Sequence, residues 1–294
     1  MTHLKENIYR WIFTALAFTS LIFLLGIIIV LFREGLPIFA TIGPVKFLTG
    51  LHWYPTYDPP EFGIFPLIVA SLSVTVGAMI VAVPLGIGSA LYIHELAGDY
   101  IRHLLKPAVE VLSAIPSIVF GFFGMTIVAP FVQNLLHIPT GLNAFTASLV
   151  LGIMAIPTIT SLAEDALGFV PRSFKEASYA LGATRWQTLI KVVLPAAGSG
   201  VSTAIILGIS RIVGETMTVL MVSGGAAVIP HSFFDPVRPM TSTIAAEMGE
   251  AVTGSPHYSA LFAIGLVLFL MTLGLNIISE IISKRYRIKL GLDR

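Results

Sequence analysis

Two ionisable side chains interrupt a long apolar stretch, and their chemistry suits the binding of an anion. Between Lys191 and Phe234 the only Asp, Glu, Lys or Arg residues are Arg211 and Glu215. The guanidinium group of arginine is planar and permanently charged, and its five N–H donors can hold a phosphate or carboxylate group. Arginine at the centre of a membrane helix costs roughly 2.5–3.5 kcal/mol, so the pair should face protein or a watery path. We predict that Arg211, Glu215 and the adjacent Thr216 line such a path.

The spacing of Arg211 and Glu215 is compatible with two roles. Residues four apart lie on one face of a helix, and a helical path from Pro195 places Arg211 about 24 Å along the axis. In the first role, Glu215 partly neutralises Arg211, so that an anion binds weakly enough to leave again, as conduction requires. In the second role, the charge pair only holds helices in register. The sequence leaves both roles open.

Residue patterns of enzymes and nucleotide-binding proteins are missing from the sequence. No Gly-x-x-x-x-Gly-Lys-Ser/Thr string occurs, so this chain has no P-loop for ATP. His94-Glu95 is not followed by the second histidine of a zinc-binding His-Glu-x-x-His motif, and Gly198-Ser199-Gly200 is not a nucleophile elbow. With 0 cysteines there is no thiol nucleophile either. We predict no catalytic residue, no metal site and no cofactor on this chain.

The composition places these residues in a lipid bilayer. The chain has 294 residues, of which 55% are hydrophobic and 11% are charged, and its mean hydropathy is +0.89. Soluble domains carry about 25% charged residues, so a globule this size could not be covered with polar surface in water. The net charge of +1 gives no reason to expect a nucleic-acid partner.

Uncharged runs predict six membrane-spanning helices in one transmembrane domain that covers residues 1–294. A helix needs about 20 mostly apolar residues to cross a hydrocarbon core of about 30 Å. The predicted spans are about 11–32, 65–93, 111–132, 144–163, 197–223 and 257–280. The sequence therefore predicts an all-α membrane protein with six transmembrane helices.

The distribution of positive charge predicts that both termini are cytoplasmic. Segments retained in the cytoplasm carry an excess of Lys and Arg. Of the 17 such residues, the other side holds only Arg33, Lys46 and Arg238, and Arg211 lies within a span. The side with the termini holds the remaining ones: Lys5, Arg10, Arg102, Lys106, Arg172, Lys175, Arg185, Lys191, Lys284, Arg285, Arg287, Lys289 and Arg294.

The segment between the fourth and fifth spans, about 164–195, has the pattern of two short helices. Ser173-Phe174-Lys175-Glu176 has the pattern of a capping box, in which the Ser and Glu side chains each accept from a backbone N–H of the other position. Gly182 should end that helix, because glycine adopts the left-handed C-terminal conformation easily. Thr184-Arg185-Trp186-Gln187 repeats the box and starts a helix toward Leu194-Pro195. Its apolar side chains either dock on a partner or pack on the bundle or lipid headgroups.

The same segment resembles the EAA loop of ABC importer permeases. The family pattern is Glu-Ala-Ala, three residues, Gly, nine residues, Ile, one residue, Leu-Pro. The matching residues are Glu176, Ala177, Ser178, Gly182, Val192, Leu194 and Pro195. Ser replaces the second Ala and Val replaces Ile, and both replacements are small. The resemblance implies a type I ABC importer permease (MetI-like) fold whose cytoplasmic coupling helix sits in a groove of a separate ATPase subunit.

Further stretches resemble the permeases of the phosphate-specific (Pst) ABC importer. These stretches are 65–69, 83–88, 112–121 and 214–221. Within that pair of permeases, Glu215-Thr216-Met217 and Trp53-Tyr54-Pro55-Thr56 look more like the PstC type than the PstA type. The resemblance implies an inner-membrane subunit that translocates phosphate. It also implies a PstA-type second permease, two copies of a PstB-type ATPase that bind ATP and Mg, and an external PstS-type binding protein.

Three alternatives to a phosphate permease stay open. The first is a permease for another oxyanion such as sulfate or molybdate, because a guanidinium group fits any of them. The second is a secondary ion-coupled transporter, which should show inverted repeats and would have no use for a docking loop. The third is an intramembrane enzyme, which would need more acid, base or nucleophilic residues in its spans than the two found there.

Overall fold

The apolar runs fold into long helices in a computed structural model, which describes residues 2–289. Within that range, five helical segments are long and apolar enough to cross a membrane, and a bent pair of helices adds a sixth. The five are Tyr9–Ile42, Phe65–Leu96, Ser117–Leu136, Ala144–Gly168 and Pro256–Ile278, and the bent pair is Arg185–Ala196 with Gly198–Val213. The predicted all-α membrane fold is confirmed. Arg294, which contributed to the charge count, lies outside the described residues.

Most of the helices follow one another with short connections, and the two longest connections are residues 50–64 and 223–239. The first half of the chain contains α1 Thr2–Ile42, α2 Pro44–Thr49, α3 Phe65–Leu91, α4 Asp99–Ser113, α5 Ser117–Phe123, α6 Ala129–Leu136 and α7 Ala144–Gly168. The second half contains α8 Arg172–Ala180, α9 Arg185–Thr188, α10 Leu194–Ala196, α11 Gly198–Val213, α12 Met217–Val222, α13 Met240–Glu247 and α14 Pro256–Lys289. Single π-helical turns extend or join helices at Tyr92–Leu96, Gly124–Val128 and Leu189–Val193. Strands β1 Trp53–Tyr54 and β2 Glu61–Phe62 form an antiparallel hairpin.

The two ends of the bundle differ in what they carry. We call the end with α8 and α9 the inner end, which is the predicted cytoplasmic side, and the end with the hairpin and α13 the outer end. The core between them is built mainly from α3 against α7, where buried alanines allow close approach and Leu151, Met154 and Ile159 fill the space. The most apolar part of α1 has none of its residues buried within this chain. Lipid or another subunit must therefore cover it.

The helices that contain the first and fourth predicted spans are longer than those spans, because charged residues continue these helices instead of ending them. Helix α1 runs past the predicted end at 32 to Ile42, where its backbone packs against α14: a Cβ on Gly35 would lie 3.1 Å from the backbone nitrogen of Ala263. Helix α7 contains Glu164 and ends only at Gly168. The predicted start of the inner loop at 164 is therefore wrong.

The predicted start of the third span at residue 111 is also wrong. Residues Asp99–Ser113 form the separate helix α4, whose residues are all at least partly exposed. The chain then breaks at residues 114–116, and the span begins at Ser117. Pro116 explains the break, because proline disfavours helical geometry in the residue before it and lacks an N–H group. The uncharged run thus joined the end of one helix to the next.

A carboxylate at the outer end ties together three segments that are distant in sequence. Glu247 accepts hydrogen bonds from Trp53 Nε1 at 3.0 and 3.1 Å and from Arg238 Nη1 at 2.6 Å. Its Oε2 also lies 2.9 Å from His257 Nε2. Glu247 thereby fastens the hairpin to α13 and α14.

We expect Glu247→Ala to lower the free energy of unfolding by about 2–3 kcal/mol, because hydrogen bonds to a charged group are the stronger ones and three donors lose their acceptor. Thermal unfolding in detergent measures this loss. Glu250→Ala is the matched control, because Glu250 is exposed and its side chain has no hydrogen-bond partner in the described part of the chain. Equal effects of the two substitutions would contradict the structural role of Glu247.

Candidate translocation path and coupling segment

Arg211 lies at a double break in the bundle. It occupies the last turn of α11, which ends at Val213, and the chain resumes as helix only at Met217. The guanidinium Nη2 lies 3.5 Å from the carbonyl oxygen of Ser113, at the end of α4. Thus the break at 214–216 lies beside the break at 114–116. About 13 residues of helix separate Gly198 from Arg211, so the guanidinium is about 20 Å along α11 from the inner end.

The predicted helical pairing of Arg211 with Glu215 is wrong. Because the helix ends at Val213, the two residues do not share a helical face. The Glu215 carboxylate instead accepts a hydrogen bond from the backbone N–H of Thr218 at 3.2 Å, in the first turn of α12. In the part of the chain that the structure describes, no carboxylate lies within ion-pair distance of Arg211. An Arg211–Glu215 pair therefore does not hold helices in register in the described part of the chain. Binding of an anion by Arg211 stays a prediction.

The helices on either side of the double break pack very closely. Thr218 Oγ1 donates to the carbonyl oxygen of Ser117 at 2.9 Å. A Cβ on Gly121 would lie 2.8 Å from Met221 Sδ and 3.1 Å from the Cα of Thr218, so a larger residue there would displace Met221 and crowd the α12 backbone. This packing fixes the start of α5 beside the start of α12. One region therefore contains the first backbone N–H groups of α5 and α12, the Arg211 guanidinium group and the half-buried Thr216.

The inner segment folds as two short helices, but one of its two predicted caps is wrong. Helix α8 starts at Arg172, after Pro171, and Ser173 does not cap it. Pro171 sets the start of α8 at Arg172, because the fixed φ of proline suits the start of a helix. Gly182 has φ +81°, so the helix ends there as predicted. The second capping box is confirmed: Thr184 Oγ1 accepts from Gln187 N at 3.3 Å, and Gln187 Oε1 accepts from Thr184 N at 2.9 Å.

The EAA-type residues divide into an exposed set and a structural set. Glu176 and Ala177 are exposed on α8, as are the large neighbouring side chains of Phe174, Tyr179, Leu181 and Trp186. Ser178 is buried, and its hydroxyl lies 2.9 Å from that of Thr188 in α9, which explains why a serine fits at this position. Leu194 and Pro195 begin α10, just before a 72° bend into α11. The exposed apolar set is a surface that no other described part of the chain covers.

A cluster of charged residues at the inner end had no counterpart among the predicted site residues. The side chain of Glu164 is only 3% exposed and pairs with Arg102 and Lys106 of α4. The hydrogen bonds that Lys106 donates to Glu164 and to Asp165 raise the pKa of its ammonium group above the usual value. The i, i+4 spacing of Arg102 and Lys106 was the available signal. The partner of these two residues has no such signal, because the charge of Glu164 predicts a loop at that position.

Comparison with known proteins places this architecture in a family. Residues 82–288 match the family model described as "Binding-protein-dependent transport system inner membrane component". A probable ABC transporter permease, YqgH of Bacillus subtilis, is 39% identical over 281 residues, which cover 95% of this chain and 91% of that protein. The phosphate transport system permease protein PstC of Pasteurella multocida is 38% identical, with coverage of 86% and 83%. These relatives are transport permease subunits and not enzymes.

Solved structures support the same fold. A bacterial ABC transporter involved in the import of the acidic polysaccharide alginate has a chain with a TM-score of 0.64 and 15% identity, covering 96% of this chain and 99% of that one. The inward-facing MetNI methionine ABC transporter has a chain with a TM-score of 0.57 and 21% identity, covering 76% and 94%. From the family match and the close relatives together, this chain belongs to the family of inner-membrane permease components of binding-protein-dependent ABC transport systems.

Proposed function

We propose that this chain is the membrane-spanning permease subunit of an ATP-driven importer and that it translocates inorganic phosphate across the cytoplasmic membrane of a prokaryote. The observation that carries the proposal is the Arg211 guanidinium group at the double break, without a carboxylate partner in the described part of the chain. A guanidinium group in this position offers N–H donors to a tetrahedral oxyanion. Relatives named as PstC phosphate permeases over most of the chain support phosphate as that oxyanion.

The transport step follows from the electrostatics of the double break. An anion that reaches Arg211 replaces a single backbone carbonyl as acceptor, so little has to be broken to bind it. The Glu215 carboxylate, four residues further along the chain, accepts from the Thr218 N–H and forms no ion pair with Arg211 in the described residues. In this proposal one guanidinium group holds the anion weakly enough for it to leave, as a conducting site requires. Thr216 supplies a hydroxyl group at the same level of the bundle.

The proposed partners complete an importer. The exposed surface of α8 and α9 docks on an ATPase. ATP and Mg bind to that ATPase, because this chain has no P-loop. We propose a PstA-type second permease, two copies of a PstB-type ATPase and an external PstS-type phosphate-binding protein. The orientation with cytoplasmic N- and C-termini follows from the charge distribution and puts α8 on the ATPase side. Lipid covers the apolar surface of α1.

Another oxyanion, sulfate or molybdate, is the competing substrate, because a guanidinium group binds each of these anions. Uptake of labelled phosphate and of labelled sulfate into proteoliposomes that contain the complete complex distinguishes them. We expect ATP-dependent phosphate uptake that unlabelled sulfate and molybdate do not inhibit. Sulfate uptake without phosphate uptake would contradict the proposed substrate and leave the permease assignment intact.

A further inference from the structure

The inner end of the bundle holds a continuous chain of ionisable side chains from four helical segments, which we call the inner ion cluster. Its centre is the Glu164 carboxylate of α7, which accepts from Arg102 Nη2 at 2.7 Å and from Lys106 Nζ at 2.5 Å. Lys106 Nζ also donates to Asp165 Oδ1 at 2.9 Å. Thus two cations of α4 are fastened to one nearly buried anion of α7.

The cluster continues to the first of the two short inner helices. Lys175 of α8 forms an ion pair with Glu95, which lies in the π-helical turn at the end of α3. His94 lies between the two carboxylates, with Nε2 3.6 Å from Glu95 Oε1 and Nδ1 3.4 Å from Glu164 Oε1. The side chains of Lys175, Glu95, His94 and Glu164 are between 3% and 21% exposed, so water screens these contacts only partly. The order of contact is therefore α8, α3, α7 and α4.

Helix α4 connects this cluster to the double break. Arg102 and Lys106 lie in its first half, and Ser113, whose carbonyl oxygen is 3.5 Å from Arg211 Nη2, is its last residue. Fifteen helical residues span about 21 Å. None of them is buried, so α4 is not locked into the apolar core as α3 and α7 are. Its ionic contacts lie in its first half, and its last residue lies beside the Arg211 guanidinium group.

We propose that α4 is a lever that couples displacement of α8 to the release of Arg211, and that Glu164 is the positioning residue that fastens this lever. Lys175 pulls on Glu95 when α8 moves, and His94 passes this shift from the inner end of α3 to the inner end of α7. A nearly buried carboxylate is costly to leave unpaired, so α4 follows Glu164 at that inner end, while the rest of α3 and α7 stays packed in the core. Displacement of α4 moves the Ser113 carbonyl oxygen away from Arg211 Nη2 and so removes the acceptor that an anion would otherwise have to replace. This inference rests on the proposed function, because it takes Arg211 as the anion ligand.

Glu164→Gln in the complete complex tests the lever. We expect phosphate transported per ATP hydrolysed to fall about tenfold, within the usual range of coupling between distant sites, while the rate of ATP hydrolysis stays at the wild-type level. Glu110→Gln is the matched control: it makes the same chemical change on α4, where Glu110 is exposed and its carboxylate has no ion-pair partner in the described residues. A transport-to-hydrolysis ratio at the wild-type level in Glu164→Gln would overturn the inference.

Exchanging the charges of Lys175 and Glu95 tests the link between α8 and the inner ion cluster. This experiment also tests the lever if the complex with Glu164→Gln does not assemble. Lys175→Glu and Glu95→Lys should each lower the transport-to-hydrolysis ratio, and the two together should restore it, since the exchanged pair can form again. The double variant remaining as uncoupled as the single ones would contradict the lever.

Movement of α4 can be measured independently of Arg211. The chain has 0 cysteines, so spin labels can be attached to Glu110→Cys on α4 and to Val252→Cys, which is 74% exposed at the outer end. We expect ATP binding to change the distance between the labels, and Glu164→Gln to remove that change. A distance that ATP does not change would overturn the lever. Full uptake by Arg211→Gln with the distance change intact would instead show that the proposed anion ligand is wrong.

Discussion

Replacing Arg211 with glutamine is expected to reduce phosphate uptake about 10- to 100-fold while the complex still assembles and hydrolyses ATP. The charge-assisted hydrogen bonds to an anion are worth about 1.5–3 kcal/mol, and each 1.4 kcal/mol is a tenfold change in binding. Glutamine keeps a hydrogen-bonding amide of moderate length but loses the charge. The measurement is ATP-dependent uptake of labelled phosphate by proteoliposomes, together with the rate of ATP hydrolysis.

The control for Arg211→Gln is the same arginine-to-glutamine change at another position. Arg33→Gln removes a guanidinium group whose side chain is 80% exposed near the outer end of α1, where its contact with Glu34 is 3.7 Å long. Exposed pairs of this kind contribute little, so uptake should stay at the wild-type level. Undiminished uptake by Arg211→Gln would show that Arg211 is not an anion ligand. A complex that assembles poorly would instead support a role for Arg211 in holding subunits together.

Replacing Gly182 with proline is expected to abolish ATP-dependent uptake, because the helix end that shapes the inner segment is lost. Gly182 has φ +81°, whereas proline fixes φ near −65°. The backbone N–H of Gly182 also donates to the carbonyl oxygen of Tyr179 at 2.9 Å, and proline has no backbone N–H. Helices α8 and α9 would then no longer present one surface, and the ATPase should fail to co-purify with the permease.

The matched control is another glycine with the same backbone conformation. Gly254 has φ +81° and lies at the outer end, and nothing lies within 4 Å of a Cβ added to either glycine. Gly254→Pro should therefore impose a comparable backbone change without loss of the ATPase. Gly182→Ala gives an intermediate case, because the left-handed conformation costs roughly 1–2 kcal/mol for a residue with a Cβ. Retention of the ATPase by Gly182→Pro would contradict the docking role of this segment.

The fold could be predicted from the sequence wherever a single local signal decided the structure. Length and composition predicted membrane helices, the left-handed preference of glycine predicted the end of α8, and Thr184 with Gln187 predicted the start of α9. Ser173 shows the limit of such signals. Its spacing to Glu176 fits a capping box, but Pro171 two residues earlier already fixes the backbone for a helix that starts at Arg172.

The candidate site could be predicted only in part, because helix breaks and ion pairs depend on contacts distant in sequence. The charge of Arg211 in an apolar run identifies it, but Gly214 alone does not show that the helix ends at Val213, because the apolar run continues to Val222. The charge of Glu164 predicts a loop there, because charge usually marks a span end. That rule fails when Arg102 and Lys106, about 60 residues earlier in the chain, neutralise the carboxylate. The i, i+4 spacing of Arg102 and Lys106 is a local pattern, but nothing in the sequence identifies Glu164 as their partner.

Cross-linking from Ala177 tests the central claim most directly, namely that a separate ATPase drives this permease through the exposed surface of α8. Because the chain has 0 cysteines, Ala177→Cys can carry a single cross-linker in an assembled and active complex. Val252→Cys, at the outer end, is the control position. The account predicts that the cross-linker at Ala177 captures the ATPase and that the one at Val252 does not. An active complex in which Ala177→Cys never captures an ATP-hydrolysing subunit would contradict the account.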